Sequence, residues 1–184
     1  MAFLLLFIVY CFWASEEIIL FFFGDQWLTS IPVFKLLSLS GWPQLGSTSA
    51  GAIYQSTGNT KLMFKSGTIH FSTTIALIVL GVLLGELEIV ALLVTISLFL
   101  RFFIDYYFLV VKGFACSFGD FLMEFRADIP IMGAMICTIA VGQCITIHGI
   151  LLSLLIKALI LGTVYLGAVL FTGQLRYLRD LRKR

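Results

Sequence analysis

The stretch Ile89-Val-Ala-Leu-Leu-Val-Thr-Ile-Ser-Leu-Phe-Leu-Arg-Phe-Phe-Ile-Asp-Tyr-Tyr-Phe-Leu-Val-Val111 decides the class of fold. Only Arg101 and Asp105 carry charge in it. A helix needs roughly 20 such residues to cross a hydrocarbon core about 30 Å thick, and this run supplies them. A barrel strand would instead alternate apolar and polar residues over about ten positions. Arg101 and Asp105 stand four apart, so a helix places them on one face where they can pair.

Five further runs of the same kind flank it. They cover about Ala2 to Phe23, Ile31 to Ser56, Leu62 to Leu84, Ile129 to Ile147 and Ile150 to Thr172. Composition agrees: 60% of the 184 residues are hydrophobic and only 12% charged, against about 25% charged in a soluble domain. Mean hydropathy is +1.07, more apolar surface than a soluble core of this length could bury. The expectation is an all-α integral membrane protein, a six-transmembrane-helix bundle over residues 1–173 followed by a basic tail, 174–184.

The charges between the runs sort by side. Gly24 to Ser30, Gly85 to Glu88 and the turn at His148-Gly149 hold no Lys or Arg. The alternate connections hold Lys61 and Lys65, then Lys112 and Arg126, then Arg176, Arg179, Arg182, Lys183 and Arg184. Positive charge marks the cytoplasmic side, so both termini are expected inside, which requires an even number of crossings. The tail Gln174-Leu-Arg-Tyr-Leu-Arg-Asp-Leu-Arg-Lys-Arg reads as a topology anchor at the anionic inner leaflet, not as a nucleic-acid site. The first residues enter an apolar run with no basic leader and no cleavage site, as expected for a piece of something longer.

Three basic residues remain inside the runs: Lys35, Arg101 and Lys157. A charge near the bilayer centre costs about 2.5–3.5 kcal/mol on the insertion scale and is usually kept for a reason. Arg101 either neutralises itself against Asp105 or faces a cavity. Lys157 has no nearby carboxylate in sequence and lies deep, which favours a cavity. Lys35 is near an outer end and can snorkel. Glu16 and Glu17 fit an outer interface.

The run from Ile31 is the unusual one. Ser40, Gln44, Ser47, Gly51 and Gln55 recur at helical spacing and make a polar, small-residue stripe. Pro43 inside it predicts a kink. The stripe suits either close helix packing or a cavity wall. Cys11, Cys116, Cys137 and Cys144 form no CxxC pair and read as small buried hydrophobes. His70 and His148 do not suggest a metal site. No catalytic spacing or cofactor loop stands out, and no enzyme activity, cofactor or metal is expected.

The stretch Phe23-Gly24-Asp25-Gln26-Trp27, then Pro32-Val33 with Leu36-Leu37, then Gly51-Ala-Ile-Tyr-Gln-Ser-Thr-Gly58-Asn-Thr-Lys61, resembles the polysaccharide-unit flippases of the O-antigen and colanic-acid type, in the MATE-like MOP exporter superfamily. The likeness covers about residues 14–67 and beyond that rests on hydropathy and loop pattern. It implies the C-terminal lobe of a transporter with two six-helix bundles, the N-terminal bundle being the absent partner. It implies a lipid-linked oligosaccharide on undecaprenyl diphosphate, carried by alternating access between bundles in the bacterial inner (plasma) membrane. The residues expected to line the cavity are then Arg101, Lys157, Lys35, Asp105, Gln44, Gln55, Ser40 and Ser47. Alternatives are a lipid II or drug exporter, or a non-transporting membrane fragment or subunit. A saccharide polymerase would need a large outer loop, and the longest here is Gly24 to Ser30.

Overall fold

The structure is a computed structural model that describes residues 2–124, 126, 129–142 and 149–171. Among the described residues every regular element is helical. The chain divides into two compact units, Pro32–Met123 on the one hand and Met1–Ile31 with Glu124–Arg184 on the other.

The Pro32–Met123 unit is built on a long hairpin. Helix α5 (Thr60–Leu84) turns at Gly85 into α6 (Leu87–Tyr107). Gly85 adopts φ +79, a left-handed conformation natural to glycine, and its N–H caps the Val82 carbonyl at 3.1 Å. The two helices run antiparallel, with Gly81 against Val90 at one end and Lys65 over Phe108 at the other.

The run from Ile31 forms two helices, α3 (Ile31–Leu39) and α4 (Gly41–Ser56). The expected kink is present, but the break falls at Ser40, one turn before Pro43. The reason is local. Pro43 has no N–H to give the Leu39 carbonyl, so the ladder lapses there. The Ser40 N–H reaches only Leu37 (3.1 Å), and the Ser40 hydroxyl donates to the same carbonyl at 2.6 Å. That leaves the Leu36 carbonyl without its usual donor. The Thr95 hydroxyl of α6 stands 3.0 Å from it, its single proton shared with the Ala91 carbonyl at 2.8 Å.

Helix α4 packs along α6 in the same direction. Gly46 is the point of closest approach: a Cβ there would run into the ring of Phe102, which is fully buried. Two tyrosines fasten the pair to backbone: Tyr54 donates to the Asp105 carbonyl (2.7 Å) and Tyr106 to the Gly46 carbonyl (3.1 Å). Beyond Tyr107 the ladder widens to a π-helical turn, Phe108–Gly113, and the short helix α7 (Phe118–Glu124) follows.

In the other unit the first apolar run is not one straight helix. It forms α1 (Ala2–Trp13) and α2 (Ser15–Phe22), bent by 73° at the buried Ala14. A 3-10 turn, Asp25–Ser30, follows. Helix α9 (Ile150–Phe171) packs against α1, α2 and α8 (Ile129–Gly142). Leu5, Ile8, Trp13, Ile19, Met135, Leu161 and Val169 are buried in this unit.

Among the described residues three helices are long and apolar enough to cross a membrane: Thr60–Leu84, Leu87–Gly113 and Ile150–Val169. The bent pair α1–α2 makes a fourth if it counts as one crossing. Many large apolar side chains on them face outward, Phe64 and Leu83 each 78% exposed, as suits a lipid solvent. Residues 143–147 of the expected fifth run, Thr172 and the tail 174–184 lie outside the described residues, as do Cys144 and His148. Cys116 and Cys137 are exposed, not buried as expected, and Cys11 is half-buried.

Candidate functional site

Two clusters of charge lie inside the apolar helices, one in each unit. The first is a cleft of about 100 Å³ in the Pro32–Met123 unit. Helix α4 contributes Ser47, Gly51 and Tyr54. Helix α5 contributes Met63, Ser66, Gly67 and His70. Helix α6 contributes Arg101 and Asp105. Small residues at Gly51 and Gly67 leave the space, and the Tyr54 bond to the Asp105 carbonyl closes one side.

Arg101 Nε lies 3.5 Å from Asp105 Oδ2, an ion pair without hydrogen-bond geometry. Arg101 pairs with Asp105 and also lines the cleft. Three buried atoms facing this cleft have no hydrogen-bond partner among the described residues: Ser47 Oγ, His70 Nδ1 and Arg101 Nε. Each such atom costs about 1–3 kcal/mol in an apolar interior unless water or a ligand satisfies it. Ser66 differs, since its hydroxyl donates to the Met63 carbonyl at 3.1 Å.

The polar stripe of the second run divides. Ser47 and Gly51 line the cleft. At about 100° per residue, Gln44 and Gln55 fall on the flank, and both are exposed. Gln44 Nε2 donates to Ser40 Oγ at 2.9 Å, and Ser40 itself serves the helix break. Lys35 is half-buried on α3 and takes no part in the cleft.

The third run supplies the residues that sequence reasoning missed. Ser66, Gly67 and His70 repeat the small-and-polar helical spacing noticed on the second run, and that pattern could have found them.

The second cluster lies in the other unit, where α1 breaks into α2. Lys157 pairs with Glu17, an interaction invisible in sequence because the residues are 140 positions apart. Ser153 donates to the same Glu17 Oε1 at 2.7 Å, and Lys157 Nζ also reaches the Trp13 carbonyl at 3.4 Å. That carbonyl ends α1, and a cation is favourable there. The ammonium stands 5.4 Å from the Trp13 ring centroid. Lys157 is thus neutralised within the fold, not left as a lone cation. Glu17 is mostly buried. An apolar crevice of about 150 Å³, lined by Leu6, Phe7, Tyr10, Ala158 and Leu161, lies in the same unit.

Among the described residues no group of three or more His, Cys, Asp or Glu side chains is placed to hold a metal ion. Compared with protein families, curated proteins and solved structures, the chain matches none.

Proposed function

We propose that the chain is the C-terminal-type lobe of a membrane flippase that moves polyprenyl-diphosphate-linked oligosaccharide by alternating access. In this reading six crossings are made by α1 with α2, α3 with α4, α5, α6, α8 and α9. Both chain ends lie on the cytoplasmic side of the bacterial plasma membrane, and a second bundle completes the path.

One observation carries the reading: three unpartnered polar atoms, one of them in the Arg101 guanidinium, belong to residues that line one cleft inside otherwise apolar helices. An oxyanion suits all three. Arg101 offers charge and planar donors, Ser47 a hydroxyl, and His70 a nitrogen able to donate. At about 100 Å³ the cleft is well below the roughly 300–1,000 Å³ of ordinary ligand pockets, so it suits a compact group and not a saccharide. Sugar and isoprenoid chain would lie outside it.

The test is binding by the purified chain in lipid nanodiscs, read by native mass spectrometry with undecaprenyl diphosphate, undecaprenyl monophosphate and undecaprenol. The diphosphate is expected to bind at least tenfold tighter than the alcohol (about 1.4 kcal/mol). Arg101→Ala should abolish that preference while leaving the helical content intact. Equal binding of all three lipids would exclude the cleft as a phosphate site. Unchanged surface-polysaccharide export in cells carrying Arg101→Ala would remove Arg101 from the transport path.

A further inference from the structure

We propose that one end of the Pro32–Met123 unit lies flat on an anionic lipid surface, through Lys61, Lys65 and Lys112 together with Phe114, Leu122 and Met123. The contact is independent of what the protein carries.

These residues are far apart in sequence but the fold gathers them. Lys61 and Lys65 lie in the first turns of α5, and Lys65 Nζ stands 5.7 Å from the Phe108 ring, which opens the π turn. Lys112 is in that turn and is exposed. Helix α7 is held to the end of α6 by rings. Phe121 stacks on Tyr106 at 4.7 Å and 18°, and Phe118 meets Tyr107 at 5.8 Å.

With Phe118 and Phe121 turned to α6, the rest of the segment faces outward. Phe114 is 51% exposed, Leu122 42% and Met123 60%. Helix α7 has seven residues, about 10 Å, and cannot cross a bilayer. A connection bathed only in water would not present three large apolar side chains beside three lysines. A headgroup region takes both: the apolar groups enter the acyl boundary and the ammonium groups meet phosphate.

Charge decides between neutral and anionic lipid. Lys61, Lys65 and Lys112 have no carboxylate partner among the described residues. The only acidic side chain described on α7, Asp120, lies opposite Leu122 but one turn from Met123 on the outward face, so it offsets one of the three lysine charges and leaves the surface basic. Each lysine near an anionic surface strengthens the contact by about fivefold.

Hydrogen exchange of residues 112–123 is measured on the full chain in nanodiscs of phosphatidylcholine alone and of phosphatidylcholine with phosphatidylglycerol. Exchange should slow at least tenfold in the anionic discs, and 1 M salt should reverse the effect. The K61Q/K65Q/K112Q variant should exchange alike in both discs. A second measurement needs no lysine change: a fluorophore on Cys116, with Cys11, Cys137 and Cys144 replaced by Ala, is quenched by spin-labelled lipid. Stronger quenching by a headgroup-level label in anionic than in neutral discs is expected. Equal exchange and equal quenching in the two lipids overturn the proposal, as does quenching by aqueous iodide alone.

Discussion

The two units solve the same problem, a charge inside apolar helices, in opposite ways. In the Pro32–Met123 unit the pair is local. Arg101 meets Asp105 one turn away, loosely at 3.5 Å, and its Nε is left without a hydrogen bond. In the other unit the pair is distant in sequence and tightly bound. Lys157 reaches Glu17 and the Trp13 carbonyl at once, while Ser153 bonds the same carboxylate oxygen. The first arrangement leaves a donor of the cation unpartnered; the second engages the cation fully and leaves only the acceptor Glu17 Oε2 without a hydrogen bond. A buried cation is therefore not by itself a binding group: its partners decide whether it faces a ligand or holds helices together.

The comparison can be broken at several points. The largest effect is expected at Lys157. Lys157→Met leaves Glu17 buried and uncompensated, a loss of about 3–5 kcal/mol. Thermal unfolding in detergent should show it, and adding Glu17→Gln should recover most of it. If Lys157→Met melts like the wild type, the pair does not hold the bend. Next comes Gly46→Ala. Its methyl group would strike the Phe102 ring, which Trp42 (4.8 Å) and Tyr106 (4.7 Å) hold in place. Overpacking of this kind costs about 1–3 kcal/mol, read in the same melt.

Smaller still is Thr95→Val, which returns the Leu36 carbonyl to its unpaired state. Hydrogen bonds between membrane helices contribute about 0.6 kcal/mol, so a shift of that order is expected in a chemical unfolding titration. The smallest stability effect belongs to Arg101→Ala combined with Asp105→Asn, which leaves no buried carboxylate uncompensated, about 0.5 kcal/mol or less for a one-turn pair. Its effect on phosphate-lipid binding should be the larger one. A strong melt defect with intact binding would make Arg101 a helix fastener like Lys157, and the contrast between the units would vanish.

The residues themselves show why one pair was legible and the other was not. Arg101 and Asp105 are one helical turn apart, so periodicity alone joins them. Lys157 and Glu17 meet only when α9 packs against α2, and no local rule links them. The same division runs through the cleft. Ser47 and Gly51 were readable as a stripe, whereas His70 became a wall residue only once α5 was laid against α6. Gln44 and Gln55, equally polar in sequence, stand outside because the facing helices meet a narrower arc than the stripe covers. The break at Ser40 was half readable. Pro43 announced it, but its position follows from the carbonyl that a proline leaves unbonded one turn earlier.

The sequence by itself determined that this is a helical chain with segments long and apolar enough for a membrane, because hydropathy over about 20 residues is a local property. It also determined the Arg101–Asp105 pair and the weak point near Pro43. Only the tertiary structure decided that Lys157 is neutralised by Glu17, that the first run bends by 73° at Ala14, and that Ser47, His70 and Arg101 share one cleft. Those outcomes depend on which helix faces meet, and that is set by packing between segments far apart in the chain.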